Sequence, residues 1–206
     1  MIESHVASIY LVSLLNEQTI RYRAYKDADY SYQVIYVLQI ALKKEEQLAD
    51  LTNQLHATFP EPTLLLLEHG DNEWISVAPK RINKLDPTKT VLEDNVIQKI
   101  KTDFIQYLNL GQIQAIDLKD YYKKVVQLIY KLGVLDLVNI YPNTNLDYKS
   151  IIKEYQQLQM NINNLKEQYK RASMKSEKMD IDDQIYDEEQ KQKKLIKQLK
   201  GGIANG

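Results

Sequence analysis

The chain contains no cysteine, which excludes disulfides, thiolate catalysis and cysteine-ligated metals together. That absence fits a cytoplasmic protein. Charge of one sign is also missing: 27 Lys and Arg stand against 28 Asp and Glu, a net charge of −1. No global field therefore draws the chain to nucleic acid or anionic lipid, and any such binding needs a local patch. No apolar run approaches 18 residues, so a transmembrane helix is not expected. His5 to Leu15 is apolar enough to resemble a signal peptide. It follows Glu3 instead of a basic segment, however, and Asn16-Glu17-Gln18 offers no small-residue cleavage site. A first strand or helix is the better reading. Phenylalanine and tryptophan are scarce, 2 and 1, whereas tyrosine numbers 15. A tyrosine buries a large ring while its hydroxyl needs a partner, which suits half-buried packing positions. A hydrophobic content of 44% argues against disorder, and 206 residues suffice for one well-buried domain plus an appendage.

Between Asp147 and Lys200 there is neither glycine nor proline. Ile151, Tyr155, Leu158, Ile162, Leu165 and Tyr169 follow one another at 4-3-4-3-4 spacing, the seam of a coiled coil. Ile181, Ile185, Glu188, Gln192, Leu195 and Leu199 repeat the spacing with two polar interruptions. The first register fails if continued, since it would place Ser176 and Asp183 in the seam. Six acids from Asp180 to Glu189 precede five lysines from Lys191 to Lys200, the order a helix dipole favours. The region thus reads as an antiparallel helical hairpin, broken near 171–178, with its second helix starting near Asp180. One long dimerising helix is the alternative. The apolar positions of both series are candidate interface residues, and Glu188 and Gln192 mark where the seam would open or meet another chain.

The first 110 residues read as α+β. Thr19 to Tyr25 alternates like a half-exposed strand, and Gln33 to Leu42 is a near-continuous buried strand. Lys43 to His56 has helical spacing, Thr63 to Leu67 is a second buried strand, and Trp74 to Ala78 returns after a Gly70-Asp71-Asn72 turn. A strand, a helix and another strand in that order imply a crossover and a parallel pair. Pro79 to Thr90 reads as an exposed basic loop, and Asn95 to Tyr141 as helical. The expected fold is α+β with a small mixed sheet centred on strand–helix–strand–strand and a helical second half. The body spans 1–142, the helical arm 143–200, and a flexible tail 201–206.

No catalytic signature appears. His5, His56 and His69 are scattered, and neither a zinc-protease pair, a phosphate-binding loop nor a nucleophile elbow is present. Metal-dependent nucleases of the PD-(D/E)xK type place an acid two residues before a lysine at a strand end. Here Ala41 and Leu42 stand two residues before Lys43 and Lys44. The expectation is therefore no catalytic residue, no metal and no cofactor, with a degenerate nuclease as a distant alternative. A nucleic-acid surface is the nearer one. Arg21, Arg23, Lys43, Lys44, Lys80, Arg81 and Lys84, with Tyr22 and Tyr25, could contact phosphates and stack bases.

Val34-Ile-Tyr-Val-Leu-Gln-Ile-Ala-Leu-Lys43, Phe59-Pro-Glu-Pro-Thr-Leu-Leu-Leu-Leu67, Trp74-Ile-Ser-Val-Ala-Pro-Lys80 and Ile116-Asp-Leu-Lys-Asp-Tyr-Tyr122, followed by the charged C-terminal helices, are similar to an uncharacterised bacterial domain family. That family is encoded beside SNF2-like helicases and restriction-type DNA methyltransferases in defence islands. The resemblance implies a non-enzymatic accessory subunit that docks on a larger helicase, methyltransferase or nuclease, with nucleic acid reached through the complex. It supplies no catalytic residues. A homodimer is a further expectation.

Overall fold

A computed structural model describes residues 2–142 and 146–201. In chain order the elements are α1 (Ile2–His5), β1 (Val6–Leu15), α2 (Glu17–Ile20), β2 (Tyr25–Lys26), β3 (Ser31–Tyr32), β4 (Ile35–Leu42), α3 (Leu48–Thr58), β5 (Thr63–His69), β6 (Asn72–Val77), β7 (Lys80–Ile82), β8 (Thr90–Leu92) and β9 (Val96–Ile100). Two short 3₁₀ turns lead to α4 (Leu118–Val138), α5 (Tyr148–Arg171) and α6 (Lys175–Gly201). The chain divides into two compact units, Met1–Leu132 and Gly133–Gly206. The division falls inside α4, upstream of the expected boundary between 142 and 143. Asn143, Thr144, Asn145 and most of the expected tail, 202–206, lie outside the described residues.

The first unit is built on a five-stranded mixed sheet in the order β1-β4-β5-β6-β9. β4 and β5 are parallel, joined by α3 as the expected crossover, and the remaining pairs are antiparallel. The nearly uninterrupted apolar character of β4 and β5 follows from their central place, where both faces of a strand meet protein. Leu38, Ile40, Leu42, Leu65, Leu67 and Trp74 pack against Leu51 and Leu55 of α3 on one face. β5 and β6 form a hairpin with register His69↔Asn72. Gly70 begins its two-residue loop at φ +56, where a side chain would be strained.

Several local expectations are overturned. Thr19 to Tyr25 is not a strand: α2 ends at Ile20, Arg21 adopts φ 61, and only a backbone bridge from Arg23 to Asp117 and the short β2 follow. Asn16 dictates this, accepting from the backbone N–H groups of Gln18 and Thr19 as a helix cap. Asn95 to Tyr141 is not all helical, because Val96–Ile100 pairs with β6 as an edge strand. Pro79 to Thr90 is not simply a loop, since β7 and β8 pair across it.

In the second unit α5 and α6 pack against each other, ending the choice between hairpin and single rod in favour of the hairpin. The bonds Gln159–Gln192 and Asn161–Glu188, followed by the packing of Leu165 on Ile185 and Ile181, run with rising numbers on α5 and falling numbers on α6, as antiparallel helices require. The break is tighter than expected, at residues 172–174, and α6 starts at Lys175 instead of near Asp180. Ala172, Ile181 and Ile185 form a small core with Leu165 beside the turn.

Candidate functional site

Most of the residues singled out from the sequence turn out to be occupied. Lys43 Nζ donates to the Glu3 carbonyl at 2.7 Å, Lys44 lies 3.5 Å from Glu46, and Lys84 lies 3.7 Å from Asp29. Lys80, read as a solvated loop lysine, is 2% exposed and donates to the carbonyls of Phe59 and Glu61. Burial lowers its pKa to about 8, partly opposed by Glu61. Arg21 and Arg23 are exposed between α2 and β2, and Arg81 is half-buried on β7. These seven cations fall on four stretches of chain, at 21–23, 43–44, 80–81 and 84, and four of them, Lys43, Lys44, Lys80 and Lys84, are already engaged.

The tyrosines expected to stack bases are used internally. Tyr22 packs on Tyr121, ring centres 5.5 Å apart, and donates to the Ile113 carbonyl. The Lys119 ammonium lies 3.8 Å from the ring centre of Tyr30 and 4.3 Å from that of Tyr25, and 3.5 Å from Asp27. Tyr25 donates to Asp27 and Tyr30 to Glu93. Burial works against the Lys119 charge, but Tyr25 and Asp27 outweigh it and raise its pKa. The Tyr25 hydroxyl holds Asp27 down to about 2. This cluster pins the β2–β3 turn to α4, next to a cavity of about 320 Å³ lined by Tyr32, Tyr122 and Val126.

In the hairpin, Leu158, Ile162, Ile181, Ile185, Leu195 and Leu199 are buried, Ile151, Tyr155 and Leu165 half-buried, and Tyr169 exposed. Glu188 and Gln192 find polar partners on α5, since Asn161 donates to Glu188 and Gln192 donates to Gln159, and Glu188 also lines an open groove of about 460 Å³ between the two helices with Asn161, Leu165 and Lys191.

Exposure of apolar surface is concentrated instead on β1. Tyr10 is 62% exposed, Leu11 57% and Val12 53%, and Ile9 and Leu14 are also open. β1 pairs only with β4, so its outer row of backbone groups has no strand beside it among the described residues. The ten residues of β1 include no charge and no proline, the devices that blunt an edge; two register shifts against β4 are its only irregularity.

The sheet face next to this edge is half covered. Cross-strand partners share a face, so the pairs Tyr10↔Gln39↔Leu66 and Ser8↔Ala41↔Glu68↔Glu73 define the face opposite α3. At one end of it α4 is anchored, since the Tyr122 hydroxyl donates to the Thr63 carbonyl at 2.7 Å and accepts from Ala78 N–H at 2.9 Å. There Leu64, Ile75 and Val77 are buried. At the other end a cavity of about 220 Å³ stays open, lined by Val12, Gln39, Leu66, Glu68, Glu73 and Ile100. Gln39 Nε2 donates to Glu68 at 3.0 Å. Nothing in the sequence distinguished this edge from a buried strand, because its apolar run reads the same whether covered or bare.

Among the described residues no group of three or more His, Asp or Glu side chains is placed to hold a metal ion, and no helix is long and apolar enough to cross a membrane. The fold and surface define a mixed α/β protein with an open sheet edge and a helical hairpin that closes on itself. The chain belongs to the family described as domain of unknown function DUF4391, whose model matches residues 1–194. No curated protein and no solved structure matches it.

Proposed function

We propose that the chain is a non-enzymatic interaction subunit that docks on a larger cytoplasmic DNA-processing protein, a helicase, methyltransferase or nuclease. One observation supports this above all: an uncharged ten-residue edge strand exposes apolar side chains beside a half-open sheet face. Contiguous apolar surface of this kind marks interaction sites, and an unpaired strand edge accepts a further strand through main-chain hydrogen bonds. The docking element in this reading is β1, in place of the hairpin, most of whose apolar seam residues are buried. Nucleic acid is then met through the partner.

The test is co-expression with a DNA-processing helicase, methyltransferase or nuclease of the same genome, followed by co-purification. Leu11→Lys places a charge at the centre of the open strand, where the free protein tolerates it in water. The expected result is loss of the complex with an unchanged circular-dichroism spectrum and unfolding temperature. An intact complex removes β1 as the docking element.

A further inference from the structure

We infer that the partner segment covering the open half of the sheet is basic: a lysine or arginine flanked by apolar residues, its cation seated between Glu68 and Glu73. This rests on the interaction reading above and names the chemistry of the partner.

Glu68 and Glu73 stand directly opposite each other on β5 and β6. Like charges in a cross-strand pair repel, and the usual relief is a cation close by. Neither carboxylate makes an ion pair among the described residues. Glu68 receives the Gln39 amide, a neutral donor that leaves the net charge unchanged. Lys99, on the neighbouring strand, pairs with Trp74, one residue along from Glu73, and so projects from the other face, its ammonium 5.6 Å from the Trp74 ring. The family of contacts that would neutralise the pair is therefore supplied from outside the sheet.

The surroundings specify the remainder of the segment. Leu66 and Ile100 wall the cavity beside the carboxylates, and Val12 joins it to the exposed Tyr10 of β1. An aliphatic stem ending in a cation fits such a site, the stem on the apolar wall and the charge at the two carboxylates. A guanidinium can bridge two carboxylates with its fork of donors, and flanking apolar residues would cover the strand edge. An acidic segment would add a third like charge, and a purely apolar one would bury both carboxylates unpaired.

The full chain is panned against a phage-displayed library of random linear peptides, and enriched sequences are remade for fluorescence anisotropy against wild type, Glu68→Gln, Glu73→Gln and the double variant. Enriched peptides are expected to centre on Arg or Lys between apolar residues. Each single Gln variant should weaken them by about tenfold or more, as desolvated interface charge pairs do. The same variants should unfold at a higher temperature when free, because a repulsion has gone. These opposite signs separate a binding role from a structural one. Acidic or uncharged enriched peptides, a library that yields none, or affinity unmoved by the double variant overturns the inference. Sedimentation of the free chain supplies the other occupant: a dimer that Leu11→Lys dissociates would put a second copy on the β1 edge and also overturn it. In either case the interaction reading stands if Leu11→Lys still abolishes the co-purified complex, and falls if it does not.

Discussion

Replacing His56 by Ala is expected to lower stability at pH 7 by about 4 kcal/mol, from the cavity and the hydrogen bonds left open. His56 has no exposed surface and bridges two strands from α3, with Nδ1 at 2.5 Å from Thr63 Oγ1 and Nε2 at 3.0 Å from Ser76 Oγ. The tautomer follows from proton counting. Ser76 spends its single hydroxyl proton on Asn95 Oδ1, so it accepts from His56 Nε2–H, and Nδ1 accepts from Thr63. Asn95 continues the chain to Thr52, which ends on the Leu48 carbonyl. Every member is satisfied with the imidazole neutral, and a second ring proton would oppose the Thr63 hydroxyl.

Burial, together with the nearby Lys80 charge, depresses the His56 pKa from 6.5 to about 3. The unfolded chain therefore binds a proton that the folded one refuses across that window. Stability from this residue is fully present above pH 6.5 and falls by up to about 1.4 kcal/mol per unit as the pH drops toward 3. His56→Gln keeps hydrogen-bonding capacity and cannot titrate. Denaturant unfolding at a series of pH values should show the wild-type stability converging on that of the Gln variant as acid is added. Parallel curves would show that His56 is not the group responsible.

Lys80→Ala is the second large effect, about 3 kcal/mol, since two part-buried carbonyls lose their donor and the packed stem is removed. Lys80→Met, which restores the stem, should recover part of that loss. The alkaline limb carries the diagnostic sign. With a folded pKa of about 8, the native protein releases the Lys80 proton before the unfolded chain does, near 10.5. The Lys80 contribution thus rises as the pH goes from 8 to 10, at up to about 1.4 kcal/mol per unit. Subtracting the Met variant's profile from that of the wild type isolates it. A flat difference would place the ammonium in water.

What could be read in the sequence was whatever local pattern decides. β4, α3 and β5 announced themselves because continuous apolar runs and a switch to helical spacing leave little choice. The hairpin was legible in two heptad registers that cannot be joined and in charge ordered along the second. What escaped depends on distant partners. Val96, Ile97 and Ile100 satisfy helical spacing as well as a strand does, and only the free side of β6 settled them as β9. Lys80 sits in a basic stretch that looks solvated, and its burial comes from the carbonyls of Phe59 and Glu61, about twenty positions earlier. The candidate site was the least legible. Bareness of β1 and opposition of Glu68 to Glu73 are properties of the assembled sheet and of no short stretch of chain.

The bare edge also bears on how the protein is made. β1 is synthesised before β4, its single neighbour in the sheet. At translation rates of about 5–20 residues per second, an uncharged apolar strand waits seconds for its first partner. One side of it then stays open and, in the interaction reading proposed above, is covered only when a partner docks. In that reading the chain made alone is expected to yield less soluble protein than the chain made together with its partner, and Leu11→Lys should recover part of the difference.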